Sequence, residues 1–291
     1  LKYFFTRLPN FESAQPMIRS TLYLLITVSL SWPLDAQTDT VSIYHVRRLR
    51  SALIGSAGIA LHQWGLHQQR QAPGVAPETI LNLNPDDVYS FDRSALRQAP
   101  QRRRQAAELS DHALNASLIL PFSLFLDRSI RHDWLDVTLL YIEAQALSNN
   151  LYAWSPFGPT FVDRMRPVAY YAEVPLEERM DNKTRQSFFS GHTSSVATAT
   201  FFMAKVYADY HPETTGRKWL IYGLAAVPPT FVGIYRIKAL RHFPSDVVVG
   251  GLVGAASGVL IPHLHKKWQA KAQLSLIYRD QAKGLAFSLD F

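Results

Sequence analysis

The 291-residue chain carries a net charge of +7 with a pI near 9.6, and it contains no cysteine. Hydrophobic residues make up 47% and charged residues 18%, richer and poorer respectively than in an ordinary soluble domain, while a mean hydropathy of -0.05 excludes a uniformly membrane-like chain. The lack of cysteine rules out disulfides, thiolate metal sites and cysteine nucleophiles, and the basic excess favours phosphate compounds, acidic lipid headgroups or nucleic acid as partners.

Residues 1–36 read as an N-terminal extension followed by a secretory signal. Residues 1–16 are expected to lie upstream of a start at Met17. Arg19 then gives a short basic region, Thr21 to Leu30 an apolar core, and Leu34-Asp35-Ala36 a cleavage point before Gln37. An uncleaved membrane anchor is the alternative, and both readings export the chain. Residues 37–105 form a polar, irregular region with one apolar helix over 51–66 and prolines at 73, 77, 85 and 100. It ends in the basic run RQAPQRRRQ, read as a solvated loop, or alternatively as a contact with an acidic surface.

Residues 106–265 turn helical and apolar. Ser110-Asp111 offers N-cap chemistry for a helix over SDHALNASLILPFSLFLD. A second helix covers 134–154, and a third runs from Gly191 to about Tyr210. The fourth, 217–236, is kinked or broken at Pro228-Pro229. The fifth, 244–264, has Pro244 in its first turn. Residues 219–235 and 247–264 contain no Asp, Glu, Lys or Arg and approach the ~17–20 residues that a membrane span requires. The bundle is therefore read as membrane-embedded or membrane-attached, although a large soluble bundle buries similar helices. In the tail, 266–291, Leu274, Leu276 and Tyr278 alternate with polar residues, as do Leu285, Phe287, Leu289 and Phe291, which predicts a short β-hairpin.

Chemistry concentrates in three stretches. In RIKALRHFPSD, Arg236 precedes His242 by six residues and Asp246 follows it by four. A carboxylate in the first turn of the helix begun by Pro244 can turn back to the imidazole, fix its tautomer and leave the other nitrogen nucleophilic; a capping pair is the plainer reading. In FFSGHTSS, Gly191 lets backbone approach a ligand, the helix start binds anions, and Ser190 can add a hydrogen bond. His192 is then placed to protonate a leaving oxygen, unless it is a core histidine behind a serine cap. In PTFVDRMRPVAYY, Arg164 and Arg166-Pro167 offer guanidinium forks suited to phosphate oxygens, or an ordinary basic loop.

Together these stretches resemble the type 2 phosphatidic acid phosphatase (PAP2) superfamily, which includes class A acid phosphatases and vanadium haloperoxidases, and within it the exported bacterial members. The family signature is Lys-x6-Arg-Pro, Pro-Ser-Gly-His and Ser-Arg-x5-His-x3-Asp. Here Arg166-Pro167, Ser190-Gly191-His192, and Arg236, His242 and Asp246 match in order and separation. Phe189 replaces a proline, Tyr235 a serine, and Pro159 the motif lysine. Loss of that lysine removes a charge-assisted contact worth about 2–4 kcal/mol in the transition state, unless Arg164 or Lys183 fills the gap.

The resemblance implies an all-α, PAP2-like bundle of about five or six helices, with the hairpin appended. It also implies a metal-independent phosphatase that hydrolyses a phosphomonoester or pyrophosphate, of a lipid above all, through a phosphohistidine, with no cofactor and a phosphate site that vanadate could occupy. On that reading Arg166 and Arg236, helped by Ser190, Gly191 and Arg164, hold the phosphate. His242 attacks phosphorus, Asp246 orients His242, and His192 serves as acid and then base. The expected partner is a phosphorylated lipid at the membrane or a small phosphomonoester, with the site on the periplasmic face of the envelope. The rival readings are an inactive envelope protein binding anionic lipid, supported by Pro159, and a vanadate-dependent haloperoxidase. No nucleic-acid-binding motif is present, and oligomeric state is not legible.

Overall fold

The computed structural model describes residues 42–266 and the backbone of residues 271–279 and 282–290. The expected signal segment and the side-chain alternation of the tail lie outside the described residues. The principal helices are α1 (Arg48–Gln71), α2 (Arg103–Ile119), α3 (Trp134–Trp154), α4 (Gly191–Tyr210), α5 (Lys218–Ala225), α6 (Val227–Lys238) and α7 (Pro244–His265). This is the expected all-α fold. The backbones of Lys271–Arg279 and Ala282–Asp290 pair as two antiparallel strands.

Local chemistry sets most of these boundaries. α3 contains neither glycine nor proline and ends just before Ser155-Pro156. α4 is capped by Ser190, whose Oγ accepts from Thr193 N, and stops at His211-Pro212. The break in the fourth apolar segment falls at Ala226, so that Pro228 and Pro229 occupy the first turn of α6, where a missing N–H costs nothing. Pro244 opens α7 for the same reason. Three expectations change. The apolar helix foreseen at 51–66 extends in both directions to make α1. Ser110 and Asp111 lie inside α2 and cap nothing, because good helix formers in RRQAAEL carry the helix back to Arg103. Arg103 is held there by a two-pronged contact with Glu178 at 2.9 and 2.6 Å, so part of the basic run is paired rather than solvated.

α4 is the central helix, packed by α2, α3, α6 and α7. Its inward face buries Ala199, Phe202 and Val206 against Leu124, Val137, Leu140 and Tyr141. The α4–α7 seam is built on Gly250, Gly254 and Gly258, one per turn. A Cβ added to Gly254 would lie 2.1 Å from Ser194 O, so the two backbones touch. This close approach holds the start of α7 against the start of α4, where Ser190 N donates to Asp246 O at 3.0 Å.

Large apolar side chains also face outward: Ile119 at the end of α2 and Leu120, Phe122 and Leu126 just after it, Trp219, Leu224 and Phe231 on α5–α6, and Val248, Leu252 and Leu264 on α7. The stretches Pro100–Leu126, Pro212–Lys238 and Pro244–His265 are long and apolar enough to cross a membrane. At 1.5 Å per residue, the 22 residues of α7 reach about 33 Å, matching the ~30 Å hydrocarbon core.

Candidate active site

The site lies where the starts of α4 and α7, the end of α6 and two connecting segments meet. One segment carries Arg164 and Arg166, the other Ser187. Their backbones are joined around one isolated parallel bridge, Arg164 to Gln186: Arg164 N donates to Arg185 O, Arg166 N to Thr184 O and Ser187 N to Arg164 O, at 2.8–3.0 Å. Val168 N then donates to Leu240 O, which ties the Arg-Pro segment to the loop preceding His242. Leu240 itself has φ of 58°, a left-handed conformation that costs a β-substituted residue of order 1 kcal/mol.

Arg166 and Arg236 are 7% and 6% exposed. Arg166 reaches only the carbonyl of Gln186, at 3.2–3.3 Å, and has no carboxylate partner among the described residues. Arg236 donates to Ser110 Oγ at 3.3 Å and Asp111 Oδ1 at 3.1 Å, while its Nε has no hydrogen-bond partner. Burial, with Arg241 nearby, pushes the Arg166 guanidinium down to about 10. Two buried, under-paired guanidiniums within electrostatic reach of each other make this a candidate anion site. Ser190 and Gly191 add the start of α4, although the Ser190 hydroxyl is engaged with Thr193 Oγ1 at 2.9 Å.

His242 is buried, and its Nδ1 donates to the Ser187 carbonyl at 2.6 Å. A carbonyl only accepts, so this bond fixes the Nδ1–H tautomer and leaves the Nε2 lone pair free. Burial, together with the positive charges of Arg166 and Arg236, drives its pKa well below the usual histidine value, so the ring is neutral. The expected direct support from Asp246 is absent in this geometry: Asp246 Oδ2 lies 3.9 Å from His242 Nδ1. Its oxygens are taken by Ser187 Oγ at 2.6 Å, Phe243 N at 2.8 Å and the guanidinium of Arg164. Asp246 therefore holds the segments on either side of His242.

Arg164 does not join the anion site. Its guanidinium pairs with Asp246, with Asp92 Oδ2 at 2.7 Å and with Ser245 Oγ at 3.0 Å. Asp92 is buried and also accepts from Ser245 N and Oγ at 2.8 Å. Lys183 is exposed, and Pro159 is buried in the loop after α3. The half-buried Arg241, adjacent to His242, makes no side-chain hydrogen bond or ion pair among the described residues, and its charge is felt by Arg166, Arg236 and Asp111.

His192, half-buried in the first turn of α4, donates from Nε2 to Asp111 Oδ1 at 3.0 Å. Burial is the main influence holding its pKa below the usual value; Arg236 and Arg166 add to it, and the Asp111 bond opposes it. Asp92, Asp111, Ser187 and Arg241 thus belong to the site without having been legible in the three motifs.

The PAP2 superfamily model matches residues 133–270. No curated protein matches by sequence. Among solved structures, a transmembrane PAP2 type phosphatidylglycerolphosphate phosphatase from Bacillus subtilis is similar at 20% identity, with a TM-score of 0.42 over 71% of this chain and 94% of that one.

Proposed function

The chain belongs to the PAP2 superfamily, and we propose that it is a metal-independent phosphatase that releases phosphate from an ester, the phosphorylated group being presented at a membrane. The observation that carries this reading is the pairing of a buried, tautomer-fixed imidazole with two buried, under-paired guanidiniums. His242 Nε2 attacks phosphorus, forming an N–P bond as the ester P–O bond breaks. Arg166 and Arg236 hold the phosphoryl oxygens, with the Gly191 backbone N–H at the start of α4. Arg241 supplies the third positive charge that Pro159 cannot.

His192 delivers its proton to the leaving alkoxide. In the second half, its neutral ring takes a proton from water, which attacks phosphorus, breaks the N–P bond and frees phosphate and His242. Ser187 and Asp246 set the ring position of His242. The outward apolar faces of α5, α6 and α7 support a lipid phosphate as substrate, and the N-terminal signal reading supports an exported site. The test is phosphate release by the full chain in detergent and EDTA, from p-nitrophenyl phosphate and from phosphatidate. Release that disappears in His242→Ala supports the reading, and equal release by both proteins contradicts it.

A further inference from the structure

Asp111 belongs to none of the three motifs, lies outside the segment matched by the family model, and yet touches two of the site's side chains. Its Oδ1 accepts from both His192 Nε2 and Arg236 Nη1, while Oδ2 makes no hydrogen bond among the described residues and the side chain is 53% exposed. A carboxylate only accepts, so the neutral His192 ring carries its hydrogen on Nε2 and presents Nδ1 elsewhere. Nδ1 has no described partner. It is then the nitrogen that gains the proton in the imidazolium and passes it to a leaving group.

On the reading that this is a phosphatase, we propose that Asp111 is a positioning and specificity residue, which aims His192 Nδ1 at the leaving oxygen and selects phosphomonoesters of alcohols over diphosphates. The leaving group has to sit against His192, within about one ring width of the Asp111 carboxylate. An alkoxide leaving group needs a proton there and carries no other charge at that place. A leaving phosphate brings at least one further negative charge and needs little help from an acid. Asp111 therefore aids the first and repels the second. The charged groups acting on His192 are Asp111 on α2, Arg236 on α6 and Arg166 in the connecting segment; of these only Asp111 is negative.

The experiment compares kcat/KM of the full chain in detergent for Asp111→Asn on three substrates: an alkyl phosphate, p-nitrophenyl phosphate and an alkyl diphosphate. The expected pattern is a loss of about 100-fold on the alkyl phosphate, for want of an aimed acid, and less than about threefold on p-nitrophenyl phosphate, whose phenolate leaves without a proton. On the diphosphate a gain of about tenfold is expected as the repulsion is removed. Asp111→Glu, which keeps the carboxylate, restores the preference for the monoester. Equal losses on all three substrates, or an unchanged ratio of monoester to diphosphate, would overturn the proposal. In the same assay, wild-type release from p-nitrophenyl phosphate that is absent in His242→Ala checks the underlying phosphatase reading separately.

Discussion

Replacing Arg164 with glutamine separates a structural arginine from a substrate-binding one. The guanidinium joins two carboxylates, Asp92 and Asp246, that are 2% and 0% exposed, and it also reaches Ser245. Removing it leaves two acids close together in a buried place, which costs roughly 3–5 kcal/mol for a fully buried pair. Arg164 itself is 31% exposed, so water recovers part of that, and about 3 kcal/mol is the working figure. For a chain of this size the melting temperature should fall by about 6–12 °C. The assay is thermal unfolding in detergent of the wild type, Arg164→Gln, Asp92→Asn and the double variant. Neutralising Asp92 relieves the repulsion, so the double variant should be more stable than the sum of the single losses predicts. An unchanged melting temperature with a tenfold rise in KM would refute the reasoning, placing Arg164 on the phosphate after all.

Four other outcomes follow from the same geometry. Turnover by kcat/KM needs His242 neutral and His192 protonated, and both sit below the ordinary 6.5, so the optimum should lie below pH 6.5 with the alkaline limb set by His192; a plateau extending through pH 8 would contradict the assignment. The same shifts mean that the unfolded chain binds protons more readily, so the stability linked to these rings is complete above pH 6.5 and is lost as the pH falls, which pH-dependent unfolding will show. Arg241→Ala should weaken vanadate inhibition about tenfold or more with little change in melting temperature, since its side chain has no partner among the described residues to lose; unchanged inhibition would remove it from the site. Gly254→Ala should cost about 1–3 kcal/mol because the new methyl meets Ser194 O, whereas Gly223→Ala, with open space around it inside α5, should be neutral or slightly stabilising.

Much of this architecture was legible in the sequence because it rests on local chemistry. The serine before α4, the proline opening α7 and the prolines in α6 mark their helices through capping and missing N–H groups, independent of distant contacts. Arg166, His192, Arg236 and His242 were expected together from the resemblance to the three-part family signature, and the structure places the other three within electrostatic reach of His242. What was missed depends on pairings far apart in the chain. Asp92 and Arg164 are 72 residues apart, and nothing near either one announces the ion pair. Asp111 reads as a cap until the preceding turns are seen to be helical, and only then does it face Arg236, 125 residues away. The support of His242 by the Ser187 carbonyl leaves no trace in residue type, because a backbone oxygen is present at every position. For that reason the spacing of His242 and Asp246 suggested a direct bond where the carboxylate acts through its neighbours.

The central claim is that His242 carries the phosphoryl group. Brief reaction of the full chain with a radiolabelled phosphate ester, in detergent and EDTA, followed by an alkaline quench and peptide mapping, reads this directly. The account predicts an acid-labile, alkali-stable label on His242 that is absent from His242→Ala and accumulates when water attack is slowed in a His192 variant. Label on another residue, or undiminished phosphate release by His242→Ala, would contradict it.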